Sequence, residues 1–218
     1  MVLAPWELFD ATTFGTYLAA AAALVAAPGP GQALVMARTL QGDLRAGLLT
    51  SVGLNLGTLV HTVAAALGLS ALLLASATAF TVVKLVGAVY LMVLGARMLL
   101  RSLRARRVPT AEGAELAVLR IQSSRLLLHG VLTGMLNPKV ALFFLAFLPQ
   151  FVRPERGAVF LQFAVLGVTL ATLGVMGDSI VAVIASRTGH RMSAGVWRER
   201  LTGGVLVALG VRLAFVRR

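Results

Sequence analysis

The stretch that decides the fold reads LTGMLNPKVALFF over residues 132–144. It lies within an apolar segment from about 126 to 151, and a helix needs only about 20 residues to cross a bilayer. Pro138 cannot donate a backbone hydrogen bond, so a helix through this segment must break. In hydrocarbon a break is tolerated only where it faces protein or a water-filled cavity, and Lys139 beside it would cost roughly 2.5–3.5 kcal/mol at the bilayer centre. The stretch therefore predicts a broken membrane helix that lines a pathway.

The composition of the whole chain indicates a protein with several membrane helices. Its 218 residues are 58% hydrophobic and 13% charged, and the mean hydropathy is +0.89. A soluble domain of this size does not need so apolar a sequence. The net charge of +12 comes from arginines clustered between apolar runs, which favours membrane topology and contact with anionic lipid over nucleic-acid binding. The absence of Cys excludes disulfides and thiolate chemistry.

Apolar segments and loop charges together predict an all-α polytopic membrane protein with one transporter domain over residues 1–218. Its six spans are expected at about 13–37, 46–74, 80–100, 126–151, 157–186 and 201–216. The loops on one face carry twelve arginines and those on the other carry four. Because basic loops stay in the cytoplasm, loop 101–125 is predicted to be cytoplasmic and both termini to lie outside.

An internal repeat divides the chain into two halves, at about 13–100 and 126–216. Three pairs of residues lie 110 positions apart, namely Pro28 and Pro138, Gly47 and Gly157, and Gly57 and Gly167. Each half holds three spans, and an odd number makes the second half enter the membrane from the opposite side. The sequence therefore predicts two inverted three-helix repeats, whose substrate site lies near the membrane midplane.

The broken helices supply the candidate substrate pathway. Its residues are Pro28, Gly29 and Pro30 in the first span and Asn137, Pro138 and Lys139 in the fourth. Prolines withhold amide donors, so the carbonyls near Leu24 and Ala26 lose their helical partners and become acceptors for a cation, an ammonium group or water. The alternative is that both breaks are structural kinks without a ligand, with Lys139 reaching water by snorkelling.

Small residues at helical spacing mark two further helix faces, in the second and fifth spans. Their glycines predict close helix packing and are Gly53, Gly57, Gly167 and Gly174. Two titratable residues accompany them, and both are candidates for proton coupling: His61 and Asp178. We expect water to bridge Lys139 and Asp178, because a direct contact would need a bent lysine. The alternative to proton coupling is that His61 only packs against its neighbours, and that Asp178 is either paired with another charge or lies near the end of its helix.

Residue sets for other chemistry are missing from the sequence. No nucleophile elbow is present, and no span carries two carboxylates or a His-x-x-x-His pair. We therefore predict no enzymatic activity, no cofactor and no metal site.

Several motifs together carry a family resemblance over almost the whole chain. They are Pro28-Gly29-Pro30, Gly53-x-x-x-Gly57, KLVGAVYL at 84–91, Asn137-Pro138-Lys139 and LPQF at 148–151. In this combination the chain resembles the bacterial lysine exporter and homoserine/threonine exporter family (LysE/RhtB). It departs from many members at Gly31, where they carry Asn.

The resemblance implies a six-helix fold and amino-acid efflux across the bacterial inner membrane, driven by an ion gradient. The expected substrate is an amino acid or a closely related small zwitterion. The expected partners are that substrate and the lipid bilayer, without nucleic acid, and a homo-oligomer is compatible with the sequence. Two alternatives stay open at this point: a metal-ion exporter of a related family, and a membrane-embedded protein without transport activity.

Overall fold

A computed structural model describes residues 8–69 and 122–188, together with single residues between 78 and 100 and at 207 and 211. Within these residues every regular element is helical. The predicted third and sixth spans fall almost entirely outside the described residues, as does most of loop 101–125. The four other predicted spans are described, apart from residues 70–74 at the end of the second.

The first span is a helix broken at the prolines. Helix α1 covers Ala11–Ala26 and helix α2 covers Pro30–Gln41, with a bend of 52° between them. Asp10 begins α1, because its carboxylate accepts a hydrogen bond of 2.7 Å from the Thr13 amide. The helix ends where Pro28 and Pro30 withhold the next amides.

The fourth predicted span is broken in the same way. Helix α4 covers Ser123–Met135, and helix α5 covers Pro138–Leu142. The chain then continues through a π-helical turn at Phe143–Phe147 and a 3-10 turn at Leu148–Phe151. The two parts are bent by 43°. Each bent pair is apolar and long enough to cross a membrane as one span.

The two remaining described helices are continuous. Helix α3 covers Leu44–Ala64 and extends through a π-helical turn to Leu69, while helix α6 covers Val159–Thr188. Both can cross a membrane by length and composition, so the described residues hold two candidate spans, or four if each bent pair counts as one.

Helix α3 lies at the centre of this part of the protein and contacts α2, α4 and α6. Its contact with α4 is close because both helices present glycines, Gly53 and Gly57 against Gly130 and Gly134. A β-carbon at Gly57 would lie 2.6 Å from the Val131 carbonyl oxygen, and one at Gly130 would lie 2.6 Å from that of Thr50. Only glycine allows the two backbones to approach this closely.

An aromatic cluster joins α1 to the segment that follows α5. Tyr17 is fully buried, packs edge-on against Phe151 at 5.2 Å between ring centroids, and donates a hydrogen bond of 2.5 Å to the Leu166 carbonyl on α6. Phe147 packs against both Phe143 and Phe151. These rings pack α1 against the segment that follows the second break.

Candidate functional site

The two breaks and the middle parts of α3 and α6 enclose one cavity. Its volume is about 60 Å³, which is room for on the order of five waters. Its polar lining consists of Gln32, Asn55, Thr58, Asn137, Lys139 and Asp178. Its apolar lining consists of Leu24, Val25, Leu54, Val140 and Leu170.

Three carbonyl groups before the first break accept hydrogen bonds from side chains, and that of Leu24 also accepts one of 3.2 Å from the Ala27 amide. The Lys139 ammonium donates to the carbonyl oxygens of Leu24 and Ala27, at 3.0 and 2.9 Å. The Gln32 side-chain amide donates to the carbonyl oxygen of Val25 at 2.5 Å. The sequence pointed to Leu24 and Ala26, whereas the second carbonyl that the ammonium binds belongs to Ala27.

Glycine at position 29 lets the lysine pass directly over the first break. A β-carbon there would lie 3.3 Å from Lys139 Nζ and 3.5 Å from Cε, which is tighter than an ordinary contact. Pro28 and Pro30 flank this glycine, and Pro30 is the first residue of α2. The structure thus brings Gly29 and Lys139 together although they lie far apart in sequence.

Asn137 organises the second break. Its side-chain oxygen accepts a hydrogen bond of 3.1 Å from the Lys139 amide and so caps the short helix that Pro138 begins. The side chain is buried, and its amide nitrogen would lie 3.6 Å from a β-carbon at Gly31. Gly31 and Asn137 both line the cavity.

Asp178 lies on α6 and is 8% exposed. Its carboxylate accepts a hydrogen bond of 3.2 Å from the side-chain amide of Asn55, which also donates to the Ser51 carbonyl at 2.9 Å. Gly174 makes room for this amide, since a β-carbon at that position would overlap Asn55 Oδ1. Asp178 and Lys139 line the same cavity, and no ion pair within 4 Å joins them.

The other predicted residues lie outside this cavity. His61 Nε2 lies 3.0 Å from the Met135 carbonyl oxygen, and the imidazole packs on Phe144 with 5.8 Å between ring centroids. Gly53 and Gly57 contact α4, and a β-carbon at Gly167 would overlap Thr62. Among the described residues no group of three or more His, Cys, Asp and Glu side chains is placed to hold a metal ion.

Sequence reasoning missed Gln32 and the polar face of α3. That face consists of Ser51, Asn55, Thr58 and Thr62, which recur at steps of four, three and four and are all buried. This spacing and the presence of an amide in the middle of an apolar span were available signals, because polar side chains at membrane depth face the protein interior or a cavity. Gln32 gave a weaker signal of a site in the membrane, since it lies at the end of the first break and not in the middle of an apolar span.

Comparison with known proteins assigns the chain to a family. The LysE type translocator family matches residues 22–217. The uncharacterized membrane protein PA4757 of Pseudomonas aeruginosa is 32% identical over 213 residues, which are 93% of this chain and 95% of that protein. The leucine efflux protein of Klebsiella pneumoniae is 27% identical over 210 residues, covering 94% and 96% of the two chains. That of Enterobacter sp. is 29% identical over 168 residues, or 77% of each.

No solved structure matches the chain. The family match covers both breaks, the whole of α3 and the whole of α6. Its members are translocators, and the relatives named above include membrane proteins and efflux proteins. From a match over nearly the whole sequence, we conclude that this chain belongs to the LysE type translocator family.

Proposed function

We propose that the protein is a secondary-active exporter of amino acids or closely related small zwitterions, with neutral aliphatic amino acids such as leucine as the first candidates. One observation carries the proposal. The Lys139 ammonium and the buried Asp178 carboxylate line one cavity where two broken helices meet, and the rest of its lining combines polar side chains with five aliphatic ones. The efflux proteins that resemble this chain are named for leucine, which agrees with the aliphatic side chains in this lining.

The polar lining offers a partner for each end of a zwitterion. An ammonium has three donors, and Lys139 uses two of them on the carbonyls of Leu24 and Ala27. The third donor and the Asn137 amide are proposed to hold the substrate carboxylate, while Asp178 holds the substrate ammonium. Leu54 and Leu170 then contact the aliphatic side chain.

For coupling, we propose Asp178 as the group that carries a proton during transport. It is the buried acid of the cavity, and one of its oxygens can gain a proton while the other keeps the hydrogen bond from Asn55. His61 has less support for this role because it lies outside the cavity lining.

The proposed architecture has six spans in two inverted three-helix repeats in the bacterial inner membrane. Its support in the described residues is the order of the helices, because a bent pair followed by a straight helix occurs as α1–α2 with α3 and again as α4–α5 with α6. Loop 101–125 is proposed to be cytoplasmic and both termini to be outside, from the arginine distribution.

The proposal is tested by measuring export of radiolabelled leucine from preloaded cells with and without the proton gradient. We expect wild-type export to require the gradient. Asp178→Asn keeps the size of the side chain and an acceptor oxygen but carries no proton, so it should insert normally and lose gradient-driven export. It should keep exchange of substrate for substrate, at a higher substrate concentration, because a neutral amide oxygen binds the substrate ammonium less tightly than a carboxylate. Glu155→Gln changes an exposed acid in a loop and serves as the control that exports normally. Gradient-driven export by Asp178→Asn would exclude the coupling role, and no export of any amino acid by the wild type would exclude the function.

A further inference from the structure

The C-terminal end of α1 has the features of a cation site. The break leaves the carbonyl groups of Leu24 and Ala27 accessible to an ammonium, and the negative end of the helix dipole adds to their potential. In transporters built from broken helices, unwound carbonyls of this kind coordinate the coupling cation. Carbonyl oxygens repel a carboxylate, so this end of the cavity is complementary to a cation.

The Lys139 side chain already fills this position. Its ammonium lies within ordinary hydrogen-bond distance of both oxygens, although it is 115 and 112 residues away from them in sequence. Gly29 provides the clearance that allows the side chain to cross the break. A lysine that merely escapes hydrocarbon by snorkelling would place its ammonium in water or among headgroups and would not bind main-chain carbonyls.

We propose that the carbonyls of Leu24 and Ala27 form a monovalent cation site whose occupant is the tethered ammonium of Lys139, so that the protein needs no free sodium or potassium there. Removing the ammonium opens the site to a small free cation, either an alkali ion or an alkylammonium. The site shares Lys139 with the proposed substrate contacts, but the inference concerns the two carbonyl oxygens and holds whichever substrate is exported. Asp178, in the same cavity, supplies a negative charge that favours any cation at the site.

The test measures thermal unfolding of the purified full-length protein in detergent, at constant ionic strength, in sodium, potassium, ethylammonium or choline chloride. Wild type and Lys139→Arg keep a tethered cation and should unfold at the same temperature in all four salts. Lys139→Ala should be stabilised by sodium or ethylammonium relative to choline, because a ligand that binds only the folded state raises its stability. We expect a saturating rise of about 2–4 °C in the unfolding midpoint.

Two results would overturn the proposal. One is a wild-type response to sodium as large as that of the variant, and the other is no response of Lys139→Ala to any of the cations. Adding Asp178→Asn to Lys139→Ala should weaken the response, because Asp178 supplies a negative charge that favours a cation at the site. If Lys139→Ala cannot be purified folded, Lys139→Ser replaces it. Serine also removes the tethered ammonium, so the proposal requires the same cation response, which wild type lacks. These readouts do not depend on transport, so they separate this inference from the proposed function.

Discussion

Replacing Gly134 by alanine tests the close contact that sets the shape of the site. A β-carbon at this position would overlap the Leu54 carbonyl oxygen and lie 3.0 and 3.1 Å from the carbonyl carbon and Cα of Leu54. These are backbone atoms, so no side-chain rotation relieves the clash and α3 and α4 must separate. Gly134 lines the cavity and Asn137 follows it by three residues, so separation also displaces the cap of the second break.

The size of the effect follows from two opposing contributions. Overpacking costs typically about 1–3 kcal/mol, and the upper end applies where backbone meets backbone. Alanine gains about 1 kcal/mol over glycine within a helix. The net loss is about 2 kcal/mol, which lowers the unfolding midpoint by about 4–8 °C in a chain of this size.

Thermal unfolding of the purified protein measures this loss, with Gly15→Ala as the matched control. Gly15 is also helical, but nothing lies within 4 Å of a β-carbon there. The control should therefore unfold at the wild-type temperature or slightly above it, because it gains helix propensity without a clash. Equal midpoints for Gly134→Ala and Gly15→Ala would refute the close approach of α3 and α4. We also expect Gly134→Ala to export less than the control at equal membrane levels.

Three further predictions concern the break, the topology and the membrane edge. Pro28→Ala combined with Pro30→Ala should insert stably but export little, because the returned amides compete with side chains such as Lys139 for the carbonyls before the break. Normal export by this double variant in cells would show that the break is only a structural kink. Reporter fusions should place Thr110 in the cytoplasm and the C-terminus outside, and a periplasmic reporter at Thr110 would reverse the orientation. Hydrogen bonds from the Thr13 amide and hydroxyl hold the pKa of Asp10 below its ordinary 3.8. The ionised cap therefore stabilises the folded state fully above pH 3.8, and this stabilisation is lost as the pH falls through the lowered pKa. Unfolding midpoints measured from pH 6 to 3 should therefore fall less in Asp10→Asn than in wild type, and parallel curves would contradict the role of the cap.

The sequence by itself determined the class of protein and the positions of both breaks. An apolar segment of more than 20 residues becomes a membrane helix because the bilayer leaves its backbone no other partners. Proline interrupts such a helix wherever it occurs, since it lacks the amide donor in every environment. The breaks therefore lie beside Pro28 and Pro138, where local chemistry requires them. The family could also be identified from motifs, because each motif keeps its residues together in sequence.

The tertiary structure alone decided which groups meet. Helical periodicity shows which residues share a face, but it does not show which neighbour that face contacts. On α3 the glycines contact α4, whereas Asn55 donates a hydrogen bond to Asp178 on α6. Asn55 follows Gly53 by two residues and therefore lies on nearly the opposite side of the helix. Likewise, the break predicts free carbonyls, but only the fold brings Lys139 to them from more than 110 residues away. Such pairs depend on how the helices pack, and this packing is the sum of many weak contacts that no short stretch of sequence contains.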